Sequence, residues 1–170
     1  MGTRGLIKLV CKGIIIYIYN HFDSYPSYLG NKLIQDIKLL LQLYGMDGLI
    51  NKIALLHIIT DDDIIDEAII EKLRPYTDLE VGHRSTSDWY CLLRNTQGSL
   101  VNILEAGYVQ EYLYDGNDCF IEYIYEVNTD ANIFSIITPN VFELPVILDN
   151  IPDNLVELYD KIKIYSENIF

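Results

Sequence analysis

The sequence has few basic residues for its length. Lysine and arginine total 12 of the 170 residues against 25 aspartates and glutamates, which gives a formal net charge of −13 at pH 7. A surface this negative repels nucleic-acid phosphates and anionic lipid headgroups. We therefore expect neither nucleic-acid binding nor membrane binding, and the charge suits a soluble protein or one whose partner is basic.

Cysteine is also scarce. The three cysteines are widely spaced and form no Cys-x-x-Cys pair, which indicates reduced thiols in a cytoplasmic protein. The apolar run at the N-terminus is interrupted by Lys8 and by Lys12-Gly13. It predicts neither a signal peptide nor a membrane-spanning helix.

The signatures of common active sites are missing as well. No GxxxxGK[ST], GxGxxG or GxSxG pattern occurs, so no motif supports a nucleotide-binding loop or a serine hydrolase. His21, His57 and His83 accompany many aspartates, but no HExxH, paired-cysteine or EF-hand spacing is present. We predict no metal and no cofactor.

Half of the residues are hydrophobic, which is enough apolar sequence for a buried core. We predict one domain, residues 1–170. The runs 5–11 and 14–20 are typical of strands and flank Lys12-Gly13, which predicts a hairpin. The second run, "IIIYIY", is apolar on both faces and predicts an interior strand of a covered sheet.

Helical patterns and further strand patterns follow this hairpin. Helices are predicted over residues 31–45, 49–59, 64–74, 87–98, 99–107 and 152–165, with Gly45 and Gly107 as stops, residues 61–63 as a cap, and Ser87 or Asp88 as another cap. Strands are predicted over 108–114, 119–127 and 133–138, joined in two hairpins. This order predicts an α+β fold with a mainly antiparallel sheet of about five strands packed with helices.

The stretch "NHFDSYPSYLG", residues 20–30, is richer in special residues than a plain connection needs. If it is extended, His21, Asp23 and Tyr25 point the same way, and a histidine–carboxylate pair could perform acid–base chemistry. The alternative is an Asx or Ser turn before Pro26, with Tyr25 half buried. Both interpretations stay open.

Arginines are the other candidates. Arg4 could bind a carboxylate or phosphate, or it could form a salt bridge to Asp23 that pins the chain start. Arg94 lies four residues after Tyr90 on a predicted helix and could anchor a substrate. Arg84 and Arg94 belong to the main cluster of basic residues in an otherwise acidic chain.

Three segments resemble an uncharacterised family seen in giant DNA viruses, fungi, bacteria and phages. They are "MGTRGLI…KG…YNHFDSYPSYLG", "DWYCLLRNTQGSLVNILEAG" and "DCFIEYIYEVNTDANIF". The resemblance spans nearly the whole chain and implies one domain and a viral source, hence the host cytoplasm or the virion. It implies no activity.

The first thirty residues also resemble the N-terminal-nucleophile hydrolases of the choloylglycine hydrolase type. These begin "M-C-T-R/G", form a hairpin, and carry "R-N-x-D" where this chain has "YNHFD". Gly2 stands in place of their nucleophilic cysteine, so on this scaffold Thr3 could act only after removal of Met1 and Gly2. An intact-mass measurement would decide whether that removal occurs.

Three functional hypotheses result. The first is a binding or interaction module, with a protein or small-molecule partner and possible self-association, whose surface includes Asn20, Tyr25 and Arg94. The second is a small amidohydrolase in which Thr3, or His21 with Asp23, performs catalysis. The third is sequestration of a small anionic ligand near Arg4, Arg84 and Arg94.

Overall fold

The computed structural model describes residues 2–138 and 146–151. The fold is α+β, as predicted, with one main sheet and several helices. The strands are β1 (Gly5–Cys11), β2 (Ile14–Asn20), β3 (His57–Ile58), β4 (Tyr108–Val109), β5 (Tyr123–Asn128), β6 (Ile133–Ile137) and β7 (Val146–Ile147). The helices are α1 (Asn31–Ala54), α2 (Glu67–Leu73), α3 (Trp89–Leu92) and α4 (Leu100–Ala106).

The main sheet has the strand order β2-β1-β5-β6-β7. Four of these strands have five to seven residues, and β7 adds a two-residue edge. The predicted hairpins β1–β2 and β5–β6 are confirmed, but β1 pairs with β5 in parallel. The sheet is therefore mixed, not mainly antiparallel. The long crossover between β1 and β5 makes this parallel pairing possible.

Strand β2 lies at the edge of the sheet, so its predicted interior position is wrong. Its two-sided apolarity has another cause, which is that both of its faces are covered. Ile16 and Ile18 pack in the core beneath the helices, whereas Tyr17 and Tyr19 pack against Tyr112 and Tyr114 on the opposite face.

That opposite face explains a second correction. Residues 108–114 were predicted as a long strand of a hairpin, but only Tyr108–Val109 is extended in a ladder, and it pairs with β3. The chain then crosses the tyrosine face of the sheet, where the Tyr112 backbone N–H donates to the Tyr17 carbonyl at 2.7 Å. The alternating tyrosines reflect packing onto this face and not a hairpin.

The helical layer covers the other face of the sheet. Helix α1 supplies much of this core, and α4 packs beside it. Gly45 interrupts α1 with φ = +66°, which agrees with the predicted stop there. The fully buried residues of α1 and α4 in this core are Leu33, Ile34, Ile37, Leu40, Leu49, Leu100 and Ile103.

The helix caps were predicted with mixed success. Asp88 caps α3, and Gly107 ends α4 with φ = +75°, both as expected. Residues 61–63 do not cap α2, because Asp66 does so by accepting from the Ile69 N–H at 2.8 Å. Asp63 instead accepts from the Thr60 N–H.

Two further observations complete the fold. The predicted C-terminal helix over 152–165 lies outside the described residues. In the part of the chain that the structure describes, no helix combines the length and apolar character needed to cross a bilayer.

Ser24 ties the loop after β2 to the sheet. Its side chain is fully buried, and its backbone N–H donates to the Thr3 carbonyl at 3.2 Å. Its own carbonyl accepts a 2.7 Å hydrogen bond from the buried Tyr125 hydroxyl. The loop, the chain start and the centre of β5 therefore meet at one residue.

We predict that Tyr125→Phe lowers the free energy of unfolding by about 1–3 kcal/mol, because it leaves the buried Ser24 carbonyl without this donor. Urea denaturation measures the change. The matched control is Tyr28→Phe, since Tyr28 is 64% exposed, and it should stay within about 0.5 kcal/mol of the parent. Equal effects for the two variants would contradict the proposed anchoring.

Candidate functional site

Three separate chain segments surround a surface hollow of about 510 Å³. They are the chain start, the loop after β2, and the turn before β5. The lining residues are Gly2, Thr3, Arg4, His21, Phe22, Tyr25, Cys119, Phe120 and Glu122. From the sequence, the chain start, this loop and the Arg94 segment were expected to share one hollow. The first two do lie together here, but the turn before β5 takes the third place and Arg94 does not line this hollow.

Backbone hydrogen bonds hold these segments together. Besides the bond from Ser24 to Thr3, the Glu122 N–H donates to the Arg4 carbonyl at 3.0 Å. Gly2 lies so close to Phe22 that an added Cβ would stand 2.5 Å from the ring. The chain start is therefore fixed between the loop and the turn.

Aromatic side chains form much of the hollow's surface. Phe22 is 51% exposed, Tyr25 is 43% exposed, and Phe120 is 63% exposed. The Arg4 guanidinium lies over the Phe120 ring, 5.5 Å from its centroid. Such a hollow offers flat apolar surface beside a positive charge.

Arg4 forms no ion pair with any residue that the structure describes. The predicted salt bridge to Asp23 is therefore not formed. Arg4 is close enough to Asp118 for its charge to help lower the pKa of that carboxyl, although the hydrogen bond from Tyr112 is the larger cause.

His21 is near enough to Arg4 and Arg94 for the charges of both to act on its imidazole. Its Nδ1 shares a 3.0 Å hydrogen bond with the Tyr19 hydroxyl, and its backbone N–H donates to Gln97 Oε1 at 3.3 Å. Burial lowers the pKa of His21, and the charges of Arg4 and Arg94 lower it further. Protonation of the imidazole is thus less favourable than in an unfolded chain.

The lowered pKa of His21 makes the free energy of unfolding depend on pH in a definite direction. The folded chain binds a proton on His21 less readily than the unfolded chain, whose histidine titrates near 6.5. The stabilisation is therefore fully present above about pH 6.5 and is lost as the pH falls towards the lower folded pKa.

Tyr112 and Asp118 form a hydrogen-bonded pair beside this hollow. That bond, together with burial, raises the pKa of Tyr112 to about 12. Tyr112 also stacks on Tyr19, with ring centroids 5.4 Å apart. Through this pair, the segment that follows β4 and the turn at Phe120 are held against the face of the sheet that carries Tyr19.

Asp23 does not join His21 in the larger hollow. It takes a left-handed conformation with φ = +50°, so the loop is not extended at this point and the predicted alternation of side chains is wrong there. His21 and Tyr25 line the larger hollow, whereas Asp23 lines a second, smaller one. The histidine–carboxylate pair is therefore not formed.

Asn20 acts within the loop. Its buried amide donates to the Phe22 carbonyl at 2.6 Å and to Ser24 Oγ at 2.9 Å. It contributes to the wall of the smaller hollow and holds the turn in shape. Its predicted ligand-binding role stays a prediction.

Arg94 begins a 3₁₀ turn, Arg94–Thr96, directly after α3. It does not share an α-helical face with Tyr90, because α3 ends at Leu92. Its guanidinium lies 5.9 Å from the centroid of Phe22, on the side of the smaller hollow. Arg84 instead occupies an exposed turn and lines neither hollow.

Thr3 is only 4% exposed, although it lines the larger hollow. Its predicted role as a nucleophile stays a prediction. In the described ranges, no group of three or more histidine, cysteine, aspartate or glutamate side chains is placed to hold a metal ion.

Phe22, Phe120 and Gln97 were missed by the sequence reasoning. Phe22 stands inside residues 20–30, but only its polar neighbours are residue types that indicate chemistry. Phe120 was assigned to a predicted strand, and only Asp118, whose carboxylate accepts from the Phe120 N–H, could have indicated a turn there.

We predict that an NMR titration places the pKa of His21 below the ordinary value of 6.5. Arg4→Met and Arg94→Met should each raise it, because each removes a positive charge that opposes protonation. Arg74→Met serves as the control, since Arg74 is exposed and paired with Glu71. A His21 pKa that is insensitive to both test variants would contradict this arrangement of charges.

Comparisons with family models, with curated proteins and with solved structures find no match to this chain.

Proposed function

We propose that the protein is a binding module whose larger hollow takes a small anionic ligand with an apolar, ring-like part. The observation that carries the proposal is the Arg4 guanidinium. It stands at a hollow edged by three exposed aromatic rings and is not paired with a carboxylate among the described residues. A guanidinium of this kind matches the geometry of a carboxylate or phosphate.

The charge balance at this place supports an anion. The whole chain carries −13, yet the two charges that affect the pKa of His21 both belong to arginines. Glu122 also lines the hollow but is exposed to solvent, so its charge is more strongly screened than that of a buried group. A bound anion would be stabilised by Arg4 directly and by Arg94 at longer range.

The aromatic rings support the apolar part of the ligand. Phe22 and Phe120 line the hollow, and each exposes more than half of its surface, so a ring or aliphatic chain could cover part of it. Large exposed aromatic side chains around a concave surface are typical of ligand sites. Binding is favoured over hydrolysis because Thr3 is buried and because His21 and Asp23 line different hollows.

We predict that phenylacetate binds the protein and that Arg4→Met weakens this binding about tenfold or more, because a charge-assisted hydrogen bond is lost. Isothermal titration calorimetry measures both affinities. Phenylacetamide, which has the same shape without the charge, should bind the parent protein about tenfold more weakly. Phenylacetate binding should also raise the pKa of His21, since the anion offsets the nearby arginines.

The control variant is again Arg74→Met. Arg74 is paired with Glu71 and does not line the hollow, so this variant removes a positive charge and leaves all lining residues of the hollow intact. It should bind phenylacetate as the parent does. Failure of phenylacetate to bind at millimolar concentrations, or equal binding by the Arg4→Met variant, would overturn the proposal.

A further inference from the structure

The smaller hollow, of about 280 Å³, shares Phe22 with the larger hollow. Phe22 is half exposed, so the two hollows meet at a residue that a ligand can contact. A ligand that packs against Phe22 therefore has both hollows within its surroundings. The side chains of the smaller hollow decide what the far end of such a ligand would be.

Arg94 is the main functional group of the smaller hollow. Its Nε is buried and has no hydrogen-bond partner among the described residues. Arginine stays protonated in proteins and has only donors to offer, so a buried guanidinium nitrogen without an acceptor is unfavourable. The Arg94 side chain lines this hollow and forms no ion pair with any residue that the structure describes, so its charge is available to an anion bound here.

Gln97 adds a second donor. Its Oε1 accepts from the His21 backbone N–H, which leaves its amide nitrogen for another partner. Gln97 and Arg94 both line the smaller hollow. A guanidinium beside an amide nitrogen is suited to a carboxylate or a phosphate.

Several other polar groups of this hollow are already paired. Lys32 is paired with the buried carboxylate of Asp36 at 2.8 Å, and the Asn102 amide donates to the Asn95 carbonyl at 3.2 Å. Asp23 is exposed to solvent, where its charge is screened. Among the donors at this hollow, which include the Tyr28 hydroxyl, the Asn95 amide and the rest of the Lys32 ammonium, Arg94 offers the guanidinium that matches a carboxylate or phosphate, beside the Gln97 amide.

We infer that the ligand carries two anionic groups, one held by Arg4 in the larger hollow and one by Arg94 in the smaller hollow, with an apolar part that crosses Phe22. This inference rests on the proposed function and extends it to a ligand class, the small dianions with an apolar or aromatic centre. A monoanion would use only half of this arrangement.

The test compares dianions with a monoanion of similar size. We expect 1,3- or 1,4-phenylenediacetate to bind the parent protein about tenfold or more tightly than 4-methylphenylacetate, because a second charge-assisted contact forms. In Arg94→Met this advantage should disappear, whereas the monoanion should still bind. A dianion that binds no more tightly than the monoanion, or an advantage that survives in Arg94→Met, would overturn the inference.

A second readout uses the parent protein and so does not depend on the variant folding. The Nε–H resonance of Arg94 should shift on addition of the better phenylenediacetate and not on addition of 4-methylphenylacetate. If the monoanion binds and the dianion leaves this resonance unmoved, only the second site fails. If neither compound binds, both this inference and the proposed function fail.

Discussion

The buried position of Ser24 is the constraint on which the candidate site depends. The Ser24 N–H holds the chain start, its carbonyl is held by Tyr125 of β5, and its hydroxyl accepts from Asn20. Gly5 is required at this point, since an added Cβ would stand 2.7 Å from that of Ser24. Arg4, His21 and Phe22 are therefore placed by backbone geometry close to the sheet, and not by a mobile loop.

The local charge of the site differs from that of the molecule. Charges at a solvent-exposed surface are screened over about 8 Å at physiological ionic strength, so distant carboxylates contribute little inside a hollow. Glu122, which lines the hollow, is exposed to solvent, and the Asp118 carboxylate beside it already accepts hydrogen bonds from the Tyr112 hydroxyl and the Phe120 N–H. An acidic protein can thus attract an anion to one place while repelling anions elsewhere, which favours selective binding over general binding.

Sequence reasoning succeeded where the signal is local. Lys12-Gly13 predicted a tight turn, Asp88 a cap, and Gly107 a helix end, because each depends on conformations of a few neighbouring residues. It failed where pairing is between distant segments. The parallel contact of β1 with β5, and the course of residues 110–122 across the tyrosine face, depend on packing that no short window contains.

The site was partly predictable for the same reason. Arg4, His21, Tyr25 and Arg94 were identified from residue type and position, and the structure places them around Phe22. The left-handed turn at Asp23 could not be read from its neighbours, and it separates that carboxylate from His21. Arg84, identified by proximity in sequence to other basic residues, lies in an exposed turn that the fold directs elsewhere.

The central claim is that three distant segments form one ligand-binding hollow with Phe22 and Phe120 at its edges. An isotope-filtered NOESY spectrum of isotope-labelled protein with unlabelled phenylacetate tests it most directly. The account predicts NOEs from the ligand ring protons to the side chains of both phenylalanines. NOEs to the exposed Leu39 and Leu43 of α1, with none to Phe22 or Phe120, would contradict it.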